Sequence, residues 1–184
     1  MAFPVLLDTC VLFPMYLRDT LLRLAVAEIY QPLWSADVLD ELRTVLVREQ
    51  IMATERAERI VGLMRRYFPE AEVTGYDSLV PSMPCDPGDR HVLAAAVQGG
   101  AGAIVTANLA DFPPKAAAEH GLDILSPDDF LLDLLDLTPT LVLTVLADQV
   151  SGYRREPTTI DGLMVALARS GAPGFADEIR RRLT

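Results

Sequence analysis

Asp8, Glu41, Asp89, Asn108 and Asp111 are the residues of this 184-residue chain whose types and settings could do chemistry. Asp8 interrupts the apolar run "VLLDTCVLF", where a buried and unpaired charge is costly. Glu41 lies in "ADVLDELRTVL", beside a helical face made by Val38, Leu42 and Val45. Asp89 opens "DRHVLAAA", where a carboxylate meets the positive end of a helix dipole. Asn108 and Asp111 follow the strand-like "AIVT". Singly, each has an ordinary reading: a turn acid, a solvated helix residue, a helix N-cap, a loop acid. Together they say more. Carboxylates gathered at one edge repel one another, and the cluster needs a cation. Oxygen donors select hard ions such as Mg²⁺ or Mn²⁺, and such ions activate water and stabilise a leaving oxygen. Phosphodiester hydrolysis is the reaction that suits this arrangement. His91 and His120 look too isolated for a ligand set. Cys10 and Cys85 lack metal-like spacing and read as reduced thiols. Asp86 precedes Pro-Gly and reads as a turn former.

These residues can meet only if particular elements carry them. The apolar, branched segment 3–13 reads as a buried strand ending near Asp8. Helical spacing runs over 19–30, with Asp19 as cap and Pro32 as stop. It recurs over 35–50, with Ser35 as cap, and over 54–69, with a Thr cap and a Pro stop. A short strand is expected in "AEVTGY", a helix over 89–98 closed by Gly99 and Gly100, a second strong strand over 102–108, a short helix in "PPKAAAEH" and a last strand over 122–126. Strands alternating with helices argue for a parallel sheet covered on both faces. Ligands bind such sheets beyond the carboxyl ends of the strands, where Asp8, Thr106, Asn108 and Asp111 fall. After Pro127 the strand signal stops, and four helical stretches separated by Pro and Gly remain. The expected organisation is an α/β domain over 1–126 and a helical extension over 127–184.

The net charge is −10, and Lys115 is the single lysine among 16 basic residues. Such an acidic chain lacks the footprint of a non-specific nucleic-acid binder. It leaves room for a site where cations bridge carboxylates to phosphates, and for a basic partner. No apolar run approaches the ~20 residues needed to span a bilayer, and the apolar N-terminus has no basic stretch before it. A soluble cytoplasmic protein without a membrane partner is expected.

In register, "LLDTCVL", "SADVLDELRTVL", "DPGDRHVLAAA" and "AIVTANLADF" resemble the motifs of the PIN-domain ribonuclease family over roughly residues 3–126. The resemblance implies a three-layer α/β/α sandwich with a central parallel sheet, and a Mg²⁺- or Mn²⁺-dependent endoribonuclease. In prokaryotes many members are VapC-type toxins of toxin–antitoxin pairs. The family's first three acids match Asp8, Glu41 and Asp89. Its fourth falls on Asp111, with Asn108 offering a neutral oxygen in the variant "TANLAD". Thr9, Ser35 and Thr106 match small polar positions beside the site, and Asp86 an outer acid. Arg18, Arg23 and Arg43 are candidate phosphate contacts. Structured RNA such as tRNA or ribosomal RNA is the implied substrate, and a cognate antitoxin the implied partner. The tail resembles the helical extension of larger PIN toxins and is a candidate for antitoxin or homodimer contact. A catalytically silent PIN-like binding module is the alternative. A haloacid-dehalogenase-like phosphatase fits less well, because Cys10 stands where that family needs a second Asp.

Overall fold

The computed structural model describes residues 3–49 and 52–183. Strands β1 (Phe3–Leu7), β2 (Tyr30–Ser35), β3 (Glu72–Val73), β4 (Ala103–Val105) and β5 (Asp123–Leu125) pair in parallel in the order β3-β2-β1-β4-β5. Val5, Leu6 and Leu7 of β1 are fully buried, as a central strand covered by helices on both sides requires. The chain steps from β1 outward to β2 and β3, then crosses back to β4 on the other side of β1. The strand order therefore reverses at β1, and the crevice at its carboxyl end is the usual ligand position in such sheets. The α/β/α class expected from the sequence is the one observed, with helices from the tail added to it.

Helices α1 (Thr9–Leu12), α2 (Met15–Val26), α3 (Ala36–Glu49), α4 (Thr54–Tyr67), α5 (Arg90–Gln98) and α6 (Pro114–Ala118) fill the crossovers. Strand β1 ends at Leu7, as expected of a strand closing near Asp8, and α1 begins directly because the Asp8 carboxylate accepts the Thr9 N–H at 2.6 Å. Two helix starts need correction. Helix α2 starts at Met15 behind Pro14, so Asp19 is no cap. It pairs with Arg23 one turn on, at 2.9 Å. Helix α4 takes Thr54 as its first residue, with Ala53 in the cap position. Gln50, the last residue of the expected second helix, lies outside the described residues.

Strand β2 was read from the sequence only as a helix stop. Pro32 lies within it, opposite Val5. A proline is tolerated there because its missing N–H faces the β3 side, the side on which Trp34 donates to Ala71 at 3.0 Å. β3 first pairs at Trp34, so at Pro32 that edge is open and no ladder bond is lost.

The tail forms α7 (Pro127–Leu137), α8 (Pro139–Ser151), α9 (Ile160–Arg169) and α10 (Pro173–Leu183). It packs into the same apolar core, with Phe130 edge-on to Tyr30 at 5.0 Å between ring centres. A polar chain, buried at its Thr20–Gln149 end, joins it to α2. The Thr20 hydroxyl donates to Gln149 Oε1 (2.9 Å), Gln149 Nε2 donates to the Tyr153 oxygen (2.8 Å), and the Tyr153 hydroxyl donates to Asp19 Oδ2 (2.6 Å). Among the described residues no single helix is long and apolar enough to cross a membrane. Ser126 starts the tail as the N-cap of α7, accepting the Asp129 N–H at 3.0 Å. Ser126→Ala is expected to lower stability by about 1 kcal/mol. Calorimetry should read this as a fall in Tm of about 2–4 °C for a chain of this size.

Candidate active site

Asp8 emerges from β1 beside Thr106, which emerges from β4 at the same level, because Leu7 and Val105 are register partners. Asp8 is only 5% exposed and its charge is met by three donors. Oδ1 accepts the Thr9 N–H. Oδ2 accepts the Thr106 hydroxyl at 2.7 Å and the Cys10 thiol at 3.1 Å. Oδ2 is thereby filled, whereas Oδ1 keeps a free lone pair. Thr106, itself fully buried, also accepts the Asn108 N–H at 3.0 Å. Cys10 Sγ accepts the Ala107 N–H at 3.1 Å. Threonine and cysteine together tie the loop after β4 to the end of β1. Burial first, and the Asp8 charge second, push the Cys10 thiol up to about 12, so it stays a neutral donor.

Ser35, fully buried at the end of β2, caps α3 by accepting the Val38 N–H at 3.1 Å. That fixes where α3 leaves the sheet and swings Glu41 over α1. The Thr9 hydroxyl donates to Glu41 Oε2 at 2.8 Å, and His91 Nε2 meets Glu41 Oε1 at 3.1 Å. The His91 hydrogen bond holds the Glu41 carboxyl below its ordinary range, against the opposing effect of burial. His91 feels burial most, which lowers it. The Glu41 hydrogen bond and the charges of Glu41, Asp37 and Asp8 outweigh burial, and its imidazole titrates higher than usual.

Asp89 occupies the N-cap position of α5, yet its side chain makes no capping hydrogen bond. Its carboxyl is pushed up to about 6, first by burial and then by the charges of Asp8, Asp111 and Asp86. The four carboxylates thus share one electrostatic neighbourhood. Asp111 closes a 3₁₀ turn after β4, Leu109–Asp111, with the exposed Asn108 just before it. Asp86 accepts the Gly88 N–H at 2.9 Å, the bond of a turn former. Among the described residues no three His, Cys, Asp or Glu side chains stand close enough, as placed, to hold an ion. Glu41 is drawn toward Thr9 and His91, Asp8 toward Thr106 and Cys10, and the acids repel.

The three arginines are paired with other groups among the described residues. Arg18 is buried, and its Nη1 donates to the carbonyls of Leu12 (2.6 Å) and Phe13 (3.0 Å), which shapes the α1–α2 corner. Arg23 pairs with Asp19, and Arg43 with Asp40 at 3.6 Å and Glu58 at 4.0 Å. Sequence reasoning passed over Cys10 and His91. Each stands two residues after an acid of the set, Asp8 and Asp89, and that shared spacing was the available signal.

Comparison with known proteins agrees with the geometry. The PIN domain family model matches residues 4–110, and the VapC50 C-terminal domain model matches residues 127–181. A curated Mycobacterium tuberculosis protein named "Putative ribonuclease VapC50" is 43% identical over 107 residues, which are 58% of this chain and 63% of that protein. The chain thus spans less than two thirds of that relative's length. Since the PIN domain match takes in more than half of the sequence, the chain belongs to the PIN-domain family.

Proposed function

We propose that this protein is a divalent-cation-dependent endoribonuclease and the toxin of a toxin–antitoxin pair. The observation that carries the reading is Asp89. A carboxyl pushed up to about 6 by burial and by Asp8, Asp111 and Asp86, with His91 alone acting the other way, marks an excess of negative charge at the site. The donor set is all oxygen, the choice of a hard ion such as Mg²⁺ or Mn²⁺. Asp8, Glu41, Asp89 and either Asp111 or Asn108 would hold it. A cation bound there lowers the pKa of a water and stabilises the leaving oxygen of a phosphodiester.

The residues of the chain supply the rest. Thr9, Thr106 and Cys10 fix the Asp8 rotamer, leaving its Oδ1 lone pair to the cluster. Ser35 and Thr9 fix Glu41, Asp86 shapes the turn ahead of Asp89, and one carboxylate of the set accepts the attacking water's proton. Arg43 and Arg23, partly exposed, can turn toward phosphates on binding RNA. Structured RNA is the substrate class. Residues 1–126 would act as the nuclease domain and 127–184 as an extension available to an antitoxin or a second copy. A cytoplasmic setting fits these partners. The name of the Mycobacterium tuberculosis relative supports the activity.

Purified protein should cleave structured RNA with Mn²⁺ or Mg²⁺, leaving 3′-hydroxyl and 5′-phosphate ends, and EDTA should stop it. Cleavage that persists in EDTA would contradict the reading. A silent partner-binding module draws on one observation, the lack of a ready ion cage among the described residues. That reading predicts no cleavage with either ion.

A further inference from the structure

The set of acids does not account for His91, although the fold brings it against Glu41. It projects from the first turn of α5, two residues after Asp89, and reaches across to α3. Its side chain is 14% exposed, and Nε2 lies 3.1 Å from Glu41 Oε1. Nδ1 is buried and has no hydrogen-bond partner among the described residues. The polar capacity that the ring uses is therefore spent on Glu41. Glu41 in turn has one oxygen on His91 and the other on Thr9. It belongs to a half-exposed side chain on a helix surface, which would otherwise lose rotamer freedom on joining the cluster. Each of its oxygens has two lone pairs, so one accepted hydrogen bond per oxygen leaves room for a cation.

We infer that His91 is a positioning residue that holds the Glu41 carboxylate, through Nε2–H, in the orientation from which it joins the acid cluster around a divalent cation. This rests on the metal-dependent reading above. Partners of this kind, which orient a ligand without touching the ion, typically contribute 10–100-fold in metal affinity.

The test is Mn²⁺ affinity by titration calorimetry on the full chain, for wild type, His91→Ala, His91→Phe and His91→Gln. Ala and Phe remove the donor, Phe while keeping a ring, whereas the Gln amide can still donate to Glu41. The expected result is an affinity about 10–100-fold weaker in both His91→Ala and His91→Phe, with most of it recovered in His91→Gln. In a Glu41→Gln background, His91→Ala should cause no further loss, because the carboxylate it positions is gone. Circular dichroism melts without metal separate folding from binding; should His91→Ala or His91→Gln unfold, the remaining pair with His91→Phe still decides between donor and volume, and should His91→Phe unfold, the Glu41→Gln background decides. Wild-type affinity in both His91→Ala and His91→Phe, or a loss that follows ring volume and spares His91→Phe, overturns the inference and leaves the metal reading standing. A wild type that binds no Mn²⁺ overturns the metal reading, and this inference with it.

Discussion

Asp8→Asn should reduce RNA cleavage by at least ~10²-fold, more than the loss typical of an outer partner of a metal ligand, while leaving the fold in place. The substitution keeps the size of the side chain, and the amide oxygen can still take the Thr9 N–H. What it removes is the charge and one acceptor. The new NH₂ would face the Thr106 hydroxyl and the Cys10 thiol, both of which now donate to Oδ2. The thiol or hydroxyl must rotate, and the loop carrying Asn108 and Asp111 loses an anchor. Steady-state cleavage of one labelled RNA, with circular dichroism as the control on folding, checks the prediction. Activity within a few fold of wild type would show that this carboxylate does not serve the reaction.

Asp89→Asn should act in two directions at once, raising the stability of the metal-free protein and abolishing its response to metal. The Asp89 carboxyl sits at about 6 in the folded chain, above the ordinary carboxylate range, because burial and then Asp8, Asp111 and Asp86 disfavour its charge. The sign follows from linkage. A folded-state pKa above the unfolded one means that the folded protein binds the proton more tightly. Stability therefore falls as pH rises from ~4 to about 6, and the full penalty stands at neutral pH. Asparagine removes the titration and the penalty, and it caps a helix as well as aspartate does. With solvent screening allowed for at this partly exposed group, the gain is about 1 kcal/mol, or roughly 2–4 °C in Tm. Wild type should gain stability from added Mn²⁺ in proportion to RT ln(1 + [L]/Kd), and Asp89→Asn should not. The order of melting temperatures then inverts between EDTA and Mn²⁺, which scanning fluorimetry at pH 7 would show. A variant that melts below wild type in EDTA would make Asp89 a structural cap rather than one of a set of repelling acids. For the same reason, wild-type Mn²⁺ affinity should weaken as pH falls through about 6.

How far the sequence carried this account differs from residue to residue. Asp8 was legible because a charge inside "VLLDTCVLF" has no apolar explanation. Asp89 was legible as the start of a helix, though the cap bond expected of it is not made and its carboxylate instead sits among other acids. β2 was not legible. Pro32 reads as a stop, and only the position of β3, which begins pairing at Trp34, makes a proline acceptable there. The burial of Arg18 was not legible for a related reason: it depends on the α1–α2 corner, where two carbonyls accept from Nη1. His91 looked isolated along the chain because its partner, Glu41, is 50 residues away and meets it only when α3 and α5 pack at the same edge. Local pattern finds groups whose neighbours are local, and contacts between crossovers have to be seen in the fold.

The central claim is that the carboxylates at the end of β1 hold a divalent cation. Titration calorimetry with Mn²⁺ at pH 7.5, on wild type and on Asp8→Asn, tests it most directly. The account predicts saturable binding to wild type that Asp8→Asn loses by at least ~10²-fold. Absence of binding to the folded wild type, or equal binding by the two proteins, would contradict it.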